Sequence, residues 1–342
     1  MEIFMTKKFF SENEIRPEKF KSRMEKVKSR DIKYLFSKKN RFVKVNCPAC
    51  GRNNFKKAFK KYGFTFDSCG DCGTVFMNPR ATPEILDDFY SQSAVYAYWN
   101  KTVYPASEEL RREKIVKPRV KRILEICDKF KIPKKCLVEA GAGFGTFCDE
   151  VKKTGEFQRV VAIEPSATAK SCRQKGIETI EDFIENIKTL KFAPNVVASF
   201  EVIEHLFSPE NFLTGCKRLM SKESIIAVSC PNYNGFDILT LGLDSESIDH
   251  EHINLFNPDS LSKLFSRCGF EVLECFTPGE IDADIVRNKI ISGEFEIKDK
   301  PFLKLLLIDE WDEMGAKFQS FLQNNNLSSN MWLVAKNKQS AI

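Results

Sequence analysis

Four of the twelve cysteines are spaced for metal chemistry. Cys47-Pro48-Ala49-Cys50-Gly51 and Cys69-Gly70-Asp71-Cys72-Gly73 together read C-x2-C-x18-C-x2-C, the spacing of a tetrahedral four-thiolate zinc site. A glycine after each pair relieves the tight turn that lets backbone amides donate to the thiolates. Four thiolates leave no open coordination position, so the expected Zn2+ is structural. The zinc module either stabilises a segment with little core or presents Lys56, Lys57, Lys60 and Lys61 to a substrate. The other eight cysteines are scattered singly; this suits a reducing compartment, and the expected location is cytoplasmic.

A second constellation is built on glycine. In Leu137-Val138-Glu139-Ala140-Gly141-Ala142-Gly143-Phe144-Gly145 an apolar strand passes through a carboxylate and turns through alternate glycines into a helix. Such a turn admits a ligand close to the backbone and aims helix N-terminal N–H groups at its negative part. Glu164 ends the apolar run Val160-Val161-Ala162-Ile163, 19 residues after Gly145, about where nucleotide-binding α/β folds keep the carboxylate that holds a ribose. A dinucleotide site wants G-x-G-x-x-G, whereas this chain has G-x-G-x-G followed by Thr146. Glu139 would repel a pyrophosphate but attract the ammonium of a methionine moiety. The balance favours S-adenosylmethionine.

Those groups need a sheet to carry them, and strand–helix alternation begins at 136. It predicts strands near 136–140, 159–164, 177–180, 195–200, 224–230, 270–276 and 331–336. Helices are predicted near 145–155, 167–175, 182–190, 209–221 and 258–268, with Ser208-Pro209 and Asn257-Pro258 as capped starts. Seven strands with helices between them call for an α/β fold, a doubly wound, Rossmann-like and mostly parallel sheet. Segments 231–257 and 277–328 are additions to it. Ahead of the sheet, 11–39 is helix-like, 42–79 is short β pieces around the cysteines, and Thr82-Pro83-Glu84 opens a helix over 82–91. A helical pattern from Ser107 to Phe130 is expected to kink at Pro118. The resulting division is 1–41 (basic helical segment), 42–80 (zinc ribbon), 81–131 (helical linker or lid) and 132–342 (sheet domain). Tyr96, Tyr98 and Trp99 in the linker are either core or a lid and sugar-stacking platform.

Apolar content of 42% and charge of 29% describe an ordinary globular chain. No apolar run reaches about 18 residues, so no membrane span is expected, and MEIFMTKKFFSENEIRP lacks the apolar centre of a secretory signal. Residues 1–80 hold 20 Lys+Arg against 8 Asp+Glu, while 81–342 hold 33 against 39. The basic end favours either a polyanionic partner or a solvated cationic face.

VEAGAGFG, AIEPS and FEVIEH, in that order over about 136–276, resemble the class I S-adenosylmethionine-dependent methyltransferases. With CPACG…CGDCG-TVFMNPR ahead and EHINLF behind, the chain resembles a bacterial group with an N-terminal zinc ribbon, associated with sugars of surface polysaccharides or secondary metabolites. The resemblance implies that Glu139 and Gly141 hold the methionine end, that Gly143 and Gly145 allow close approach, and that Glu164 accepts from the ribose hydroxyls. It puts Ile180, Glu181 and Asp182 at the adenine, the two acids having a helix-start role as their alternative, and Phe200 and Glu201 at the cofactor.

All three histidines of the chain, His205, His250 and His252, fall in loops expected at the C-terminal edge of the sheet. Glu201, Glu204, His205 and His252 resemble the Glu-x-x-Glu-His…His pattern by which small-RNA 3′-terminal 2′-O-methyltransferases bind a divalent metal. Two mechanisms follow. In one, Mg2+ or another divalent ion on these residues polarises an acceptor hydroxyl; in the other, His205 or His252 is a general base beside Glu204. The alternative is that Glu204 and His205 merely brace the loop. The resemblance implies an S-adenosylmethionine-dependent methyltransferase O-methylating a sugar-containing or other hydroxylated small molecule. RNA methylation and a non-catalytic scaffold are the competing readings, and no DNA partner is expected.

Overall fold

The computed structural model describes residues 11–338; the first ten residues of the N-terminal stretch read above, and 339–342, lie outside them. The strands, in chain order, are β1 (Phe55–Lys61), β2 (Phe64–Cys69), β3 (Val75–Met77), β4 (Cys136–Ala140), β5 (Arg159–Ile163), β6 (Glu178–Ile180), β7 (Val196–Phe200), β8 (Ile225–Pro231), β9 (Asn254–Leu255), β10 (Phe270–Phe276) and β11 (Asn330–Asn337). Seven of them form one sheet in the order β10-β11-β8-β7-β4-β5-β6. All its pairs are parallel except those of β11, which runs antiparallel to both neighbours. Every residue of β4 and of β7 is buried, as expected for strands covered by helices on both faces. The chain leaves β4 towards β5 and β6, then returns to β7 on the other side. The C-terminal ends of β4 and β7 therefore flank the switch point at which open α/β sheets leave a crevice for a ligand.

Both expected cap-plus-proline starts are present. Ser208 accepts from Asn211 N ahead of the helix Pro209–Leu219, and Asn257 accepts from Ser260 N ahead of Pro258–Arg267. The helix expected over 182–190 does not form. Arg218 donates to the carbonyls of Ile184, Glu185 and Ile187, and the backbone keeps only single turns there, Asn186 N to Phe183 O and Ile187 N to Ile184 O. Gly215 permits that approach, since a Cβ there would lie 3.1 Å from Ile184 O.

Nor is there a break at Pro118. Helical backbone runs without interruption from Ala94 to Phe130, and it contains two π-turns, Trp99–Val103 and Arg112–Val116. Pro105 and Pro118 each stand second in the α-helical segment that follows a π-turn. The wider turn accommodates the ring and the missing N–H.

Segment 42–80 is joined closely to the sheet domain. β1, β2 and β3 form an antiparallel sheet whose fourth strand, β9, comes from the segment after β8, with Val75 opposite Leu255 and Phe76 opposite Asn254. Cys47, Ala49, Cys69 and Phe76 lie in the same apolar cluster as Val138, Ile226 and Phe265. Arg80 is fully buried and donates to Met77 O, Ile253 O, Phe207 O and Asn254 Oδ1. The additions after β8 and β10 fold as the helices Phe236–Leu241, Asp282–Ile291, Pro301–Lys304 and Trp311–Asn324 around their own cluster of Leu241, Val286, Leu307 and Leu322.

Candidate active site

At the end of β4 the backbone passes Gly141, Gly143 and Gly145 with φ of 81°, 53° and 70°. A Cβ at Gly141 would lie 2.6 Å from Val202 Cγ2, so this turn packs directly on the loop after β7. At Gly143 nothing lies within 4 Å of the same position: the turn forms an open cradle there. Glu139 lies 5% exposed beneath it with the Cys148 thiol as its side-chain partner. Burial pushes the Glu139 carboxyl up to about 8. Glu164, at the end of β5, accepts from Gly143 N at 2.7 Å and Ser166 N at 2.9 Å. The two carboxylates thus bracket the cradle, with a buried acid on one side and a backbone-held carboxylate on the other. Both fit a ligand that carries an ammonium and a ribose.

The linker covers this turn. The Tyr104 ring stacks on Phe144 at 4.1 Å and its hydroxyl bonds Thr146 Oγ1. Tyr96 packs edge-on against Tyr90 at 5.2 Å and is close enough to feel the charges of Glu251, Glu164 and Glu204. Tyr98 instead meets Phe20, and Trp99 lies under the Arg111 guanidinium. The three aromatics therefore do not form one platform.

Other expected cofactor residues are occupied elsewhere. Ile180 is half-buried against the main core. Glu181 is paired at the surface with Arg173, and Asp182 accepts from Phe183 N and the Asn186 side chain. The Phe200 ring turns into the core, edge-on to Phe147 and beneath the Arg119 guanidinium.

Beyond β7 the chain makes one unusual step and one tight turn. Glu201 adopts φ of 56°, which few non-glycine residues do. Its carboxylate takes bonds from Ser229 Oγ and Asn330 Nδ2 and pairs with Arg119. This corrects the expected ligand set. Ligand atoms of Glu204, His205 and His252 all lie within 4.8 Å of one another, and Glu201 is not among them. Glu204 is 1% exposed, and neither of its carboxyl oxygens has a hydrogen-bond partner. His205 donates through Nδ1 to Glu251 O, and His252 through Nδ1 to Ser247 O. That fixes each tautomer and leaves both Nε2 atoms as acceptors. Burial pushes His205 down to about 3 and also lowers His252, so both rings are neutral near pH 7.

His250 does not join them. It lies 2% exposed, bonded through Nδ1 to Asp249, with its Nε2 towards Glu251. Glu251, Tyr90, Arg119 and Asp31 were all missed as members of the site. EHINLF carried a signal for Glu251; Asp31 carried none, standing 219 residues from His250 in the chain.

The cysteine pairs form the expected two-knuckle arrangement. Sγ atoms of Cys47 and Cys72, and of Cys50 and Cys69, lie 3.5 Å apart, and all four lie within 4.8 Å of one another. Gly51 and Gly73 adopt φ of 75° and 71° and donate to Cys47 O and Cys69 O. An ion bonded to four sulfurs at about 2.3 Å needs them about 3.8 Å apart, so the cluster fits Zn2+.

Residues 108–275 match the protein-family model described as "Methyltransferase domain". The chain is 28% identical over 137 residues to a Mycobacterium tuberculosis protein named "Probable S-adenosylmethionine-dependent methyltransferase", an alignment covering 39% of this chain and 48% of that protein. The chain thus spans about half the length of the curated relatives it matches. Among solved structures it resembles an S-adenosylmethionine-dependent methyltransferase from Clostridium acetobutylicum, with a TM-score of 0.46 and 9% identity over 70% of this chain and 99% of that one. It also resembles the O-methyltransferase of a Brevibacillus brevis trans-AT polyketide synthase, with a TM-score of 0.45 and 12% identity over 69% and 76% of the two chains. Residues 108–275, which carry the glycine cradle and most of the parallel sheet, are thus similar to methyltransferase domains.

Proposed function

We propose that the chain is an S-adenosylmethionine-dependent O-methyltransferase whose acceptor is a hydroxylated, sugar-containing small molecule. Glu204, His205 and His252 would hold a divalent ion beside that hydroxyl, and Cys47, Cys50, Cys69 and Cys72 would hold a structural Zn2+. The observation that carries this reading is the Glu204 carboxyl, deeply buried without a partner against two imidazoles whose Nδ1 atoms are already committed. Burial raises this carboxyl well above the usual carboxylate range, so it holds a proton unless a cation takes the proton's place. Two imidazole nitrogens and one carboxylate form a donor set better suited to an ion such as Mn2+ than to Mg2+. When bound, such an ion lowers the pKa of a coordinated hydroxyl, and S-adenosylmethionine supplies an electrophilic methyl carbon.

The chain's own residues do the rest. Glu139 meets the donor's ammonium, Gly141, Gly143 and Gly145 let its body approach the backbone, and Glu164 takes the ribose hydroxyls. Tyr96 and Tyr104 close the linker over the turn and exclude water. Glu204, His205 and His252 fix where the acceptor oxygen stands, and transfer needs it in line at roughly 3 Å from the methyl carbon. The sugar-containing acceptor rests on the resemblance of the whole chain to the zinc-ribbon group.

Mass spectrometry after incubation with a methyl-labelled donor, Mn2+ and panels of glycoside, phenol, amine and RNA acceptors tests this. Label on glycoside oxygen, lost in Glu204→Gln, is the expected result. Label confined to nitrogen would overturn the oxygen assignment, and label undiminished in that variant would overturn the role of the Glu204 cluster; label on RNA would overturn the small-molecule acceptor.

A further inference from the structure

Seven buried side-chain atoms among the described residues lack a hydrogen-bond partner, and five of them belong to Tyr90, Glu204, His250 and Glu251. Two are Glu204's oxygens, but His250 Nε2 and Glu251 Oε1 do not belong to that cluster. They gather with Asp31, which stands on the helix Lys21–Ser37, and the three residues offer ligand atoms within 4.8 Å of one another. We propose a second divalent-cation site, formed by Asp31, His250 and Glu251 and distinct from the Glu204 cluster.

Geometry and charge both support it. Asp249 holds His250 Nδ1, the carboxylate–imidazole arrangement that presents the opposite nitrogen to a metal. That nitrogen lies 3.5 Å from Glu251 Oε1, and neither atom has a hydrogen bond. Asp31, Asp249 and Glu251 supply three carboxylates, against which Lys28, 3.2 Å from Asp249, is the paired lysine. A divalent ion would balance what Lys28 leaves over, in place of a proton held between His250 and Glu251. One imidazole with two carboxylates suits Mn2+, Fe2+ or Zn2+. Asp31 also accepts from Ser93 Oγ, Ala94 N and Val95 N. The ion would therefore tie the N-terminal helix and the start of the lid to the loop whose Glu251 carbonyl orients His205. The competing occupant is a proton on His250.

Titrating Mn2+ into zinc-loaded full-length chain, with free Mn2+ read by electron paramagnetic resonance, decides between them. Each of His250→Gln and Glu251→Gln should bind one Mn2+ fewer per chain than the unaltered protein. Glu204→Gln should still bind one. Equal stoichiometry in the unaltered protein and a folded His250→Gln or Glu251→Gln variant overturns the proposal. So does complete loss of binding in Glu204→Gln, a result that needs neither other variant to fold. Failure at the Glu204 cluster alone would appear as unchanged binding in Glu204→Gln with the drop in His250→Gln intact, so the two sites are separable.

Discussion

Glu139 carries a pH dependence that a surface carboxylate would not have. Its carboxyl, ordinarily near 4.5, stands at about 8 because burial penalises the charged form. An ammonium ligand binds the ionised form, so donor affinity should rise with pH up to about 8 and level off above it. Calorimetry in buffers of differing ionisation enthalpy should show up to one proton released per donor bound below that pH, and no release would remove Glu139 from the ammonium. The same shift acts on stability with a defined sign. Between about 4.5 and 8 the folded state holds a proton that the unfolded chain has lost, so ligand-free stability should fall as pH rises through that window. Glu164 makes a complementary test. Glu164→Ala should keep the fold and weaken donor binding about tenfold or more, roughly 1.4 kcal/mol, with unaltered affinity as the contrary result. Gly143→Ala should weaken donor binding without steric clash in the free protein, because the added methyl would occupy the cradle at a strained φ of 53°.

Among the elements, β9 and the π-turned helix do most to build the site. β9 is two residues long, yet it closes the ribbon's sheet and directly follows the loop of His250 and His252. Arg80 clamps that junction through main-chain oxygens on both sides. Arg80→Met would take the guanidinium from Met77 O, Phe207 O and Asn254 Oδ1 while Ile253 O keeps Met77 N, at about 1–3 kcal/mol for each buried acceptor left unpaired, so thermal unfolding should move down by several degrees or more; an unchanged midpoint would show the clamp to be dispensable. The π-turns were not legible because a proline in a helical pattern signals a kink equally well. The helix expected over 182–190 is absent for a similar reason: Arg218, distant in sequence, competes for its carbonyls.

Across the whole molecule, the ribbon and the sheet domain share one apolar cluster that includes Cys47 and Cys69 of the four-cysteine group. Cys69→Ser should therefore lower one cooperative melting transition for both parts, followed by calorimetry, and a separate early transition would show an independent ribbon. What the sequence settled unaided was local: strand periodicity, the glycine cradle with Glu139 and Glu164, the two cysteine knuckles and the capped starts at Ser208 and Asn257. Each strand, turn, knuckle and cap depends on neighbours within a few residues, where residue type dictates backbone geometry, and the wider spacings from Gly145 to Glu164 and between the knuckles belong to known patterns. What only the tertiary structure decided was which charged groups meet. FEVIEH offers Glu201 and Glu204 on equal terms, and it is the left-handed step at Glu201, with Ser229, Asn330 and Arg119 to receive its carboxylate, that leaves Glu204 to face the histidines. Asp31 joins His250 for the same reason. Partners hundreds of residues apart are chosen by packing, and packing leaves no period in the chain.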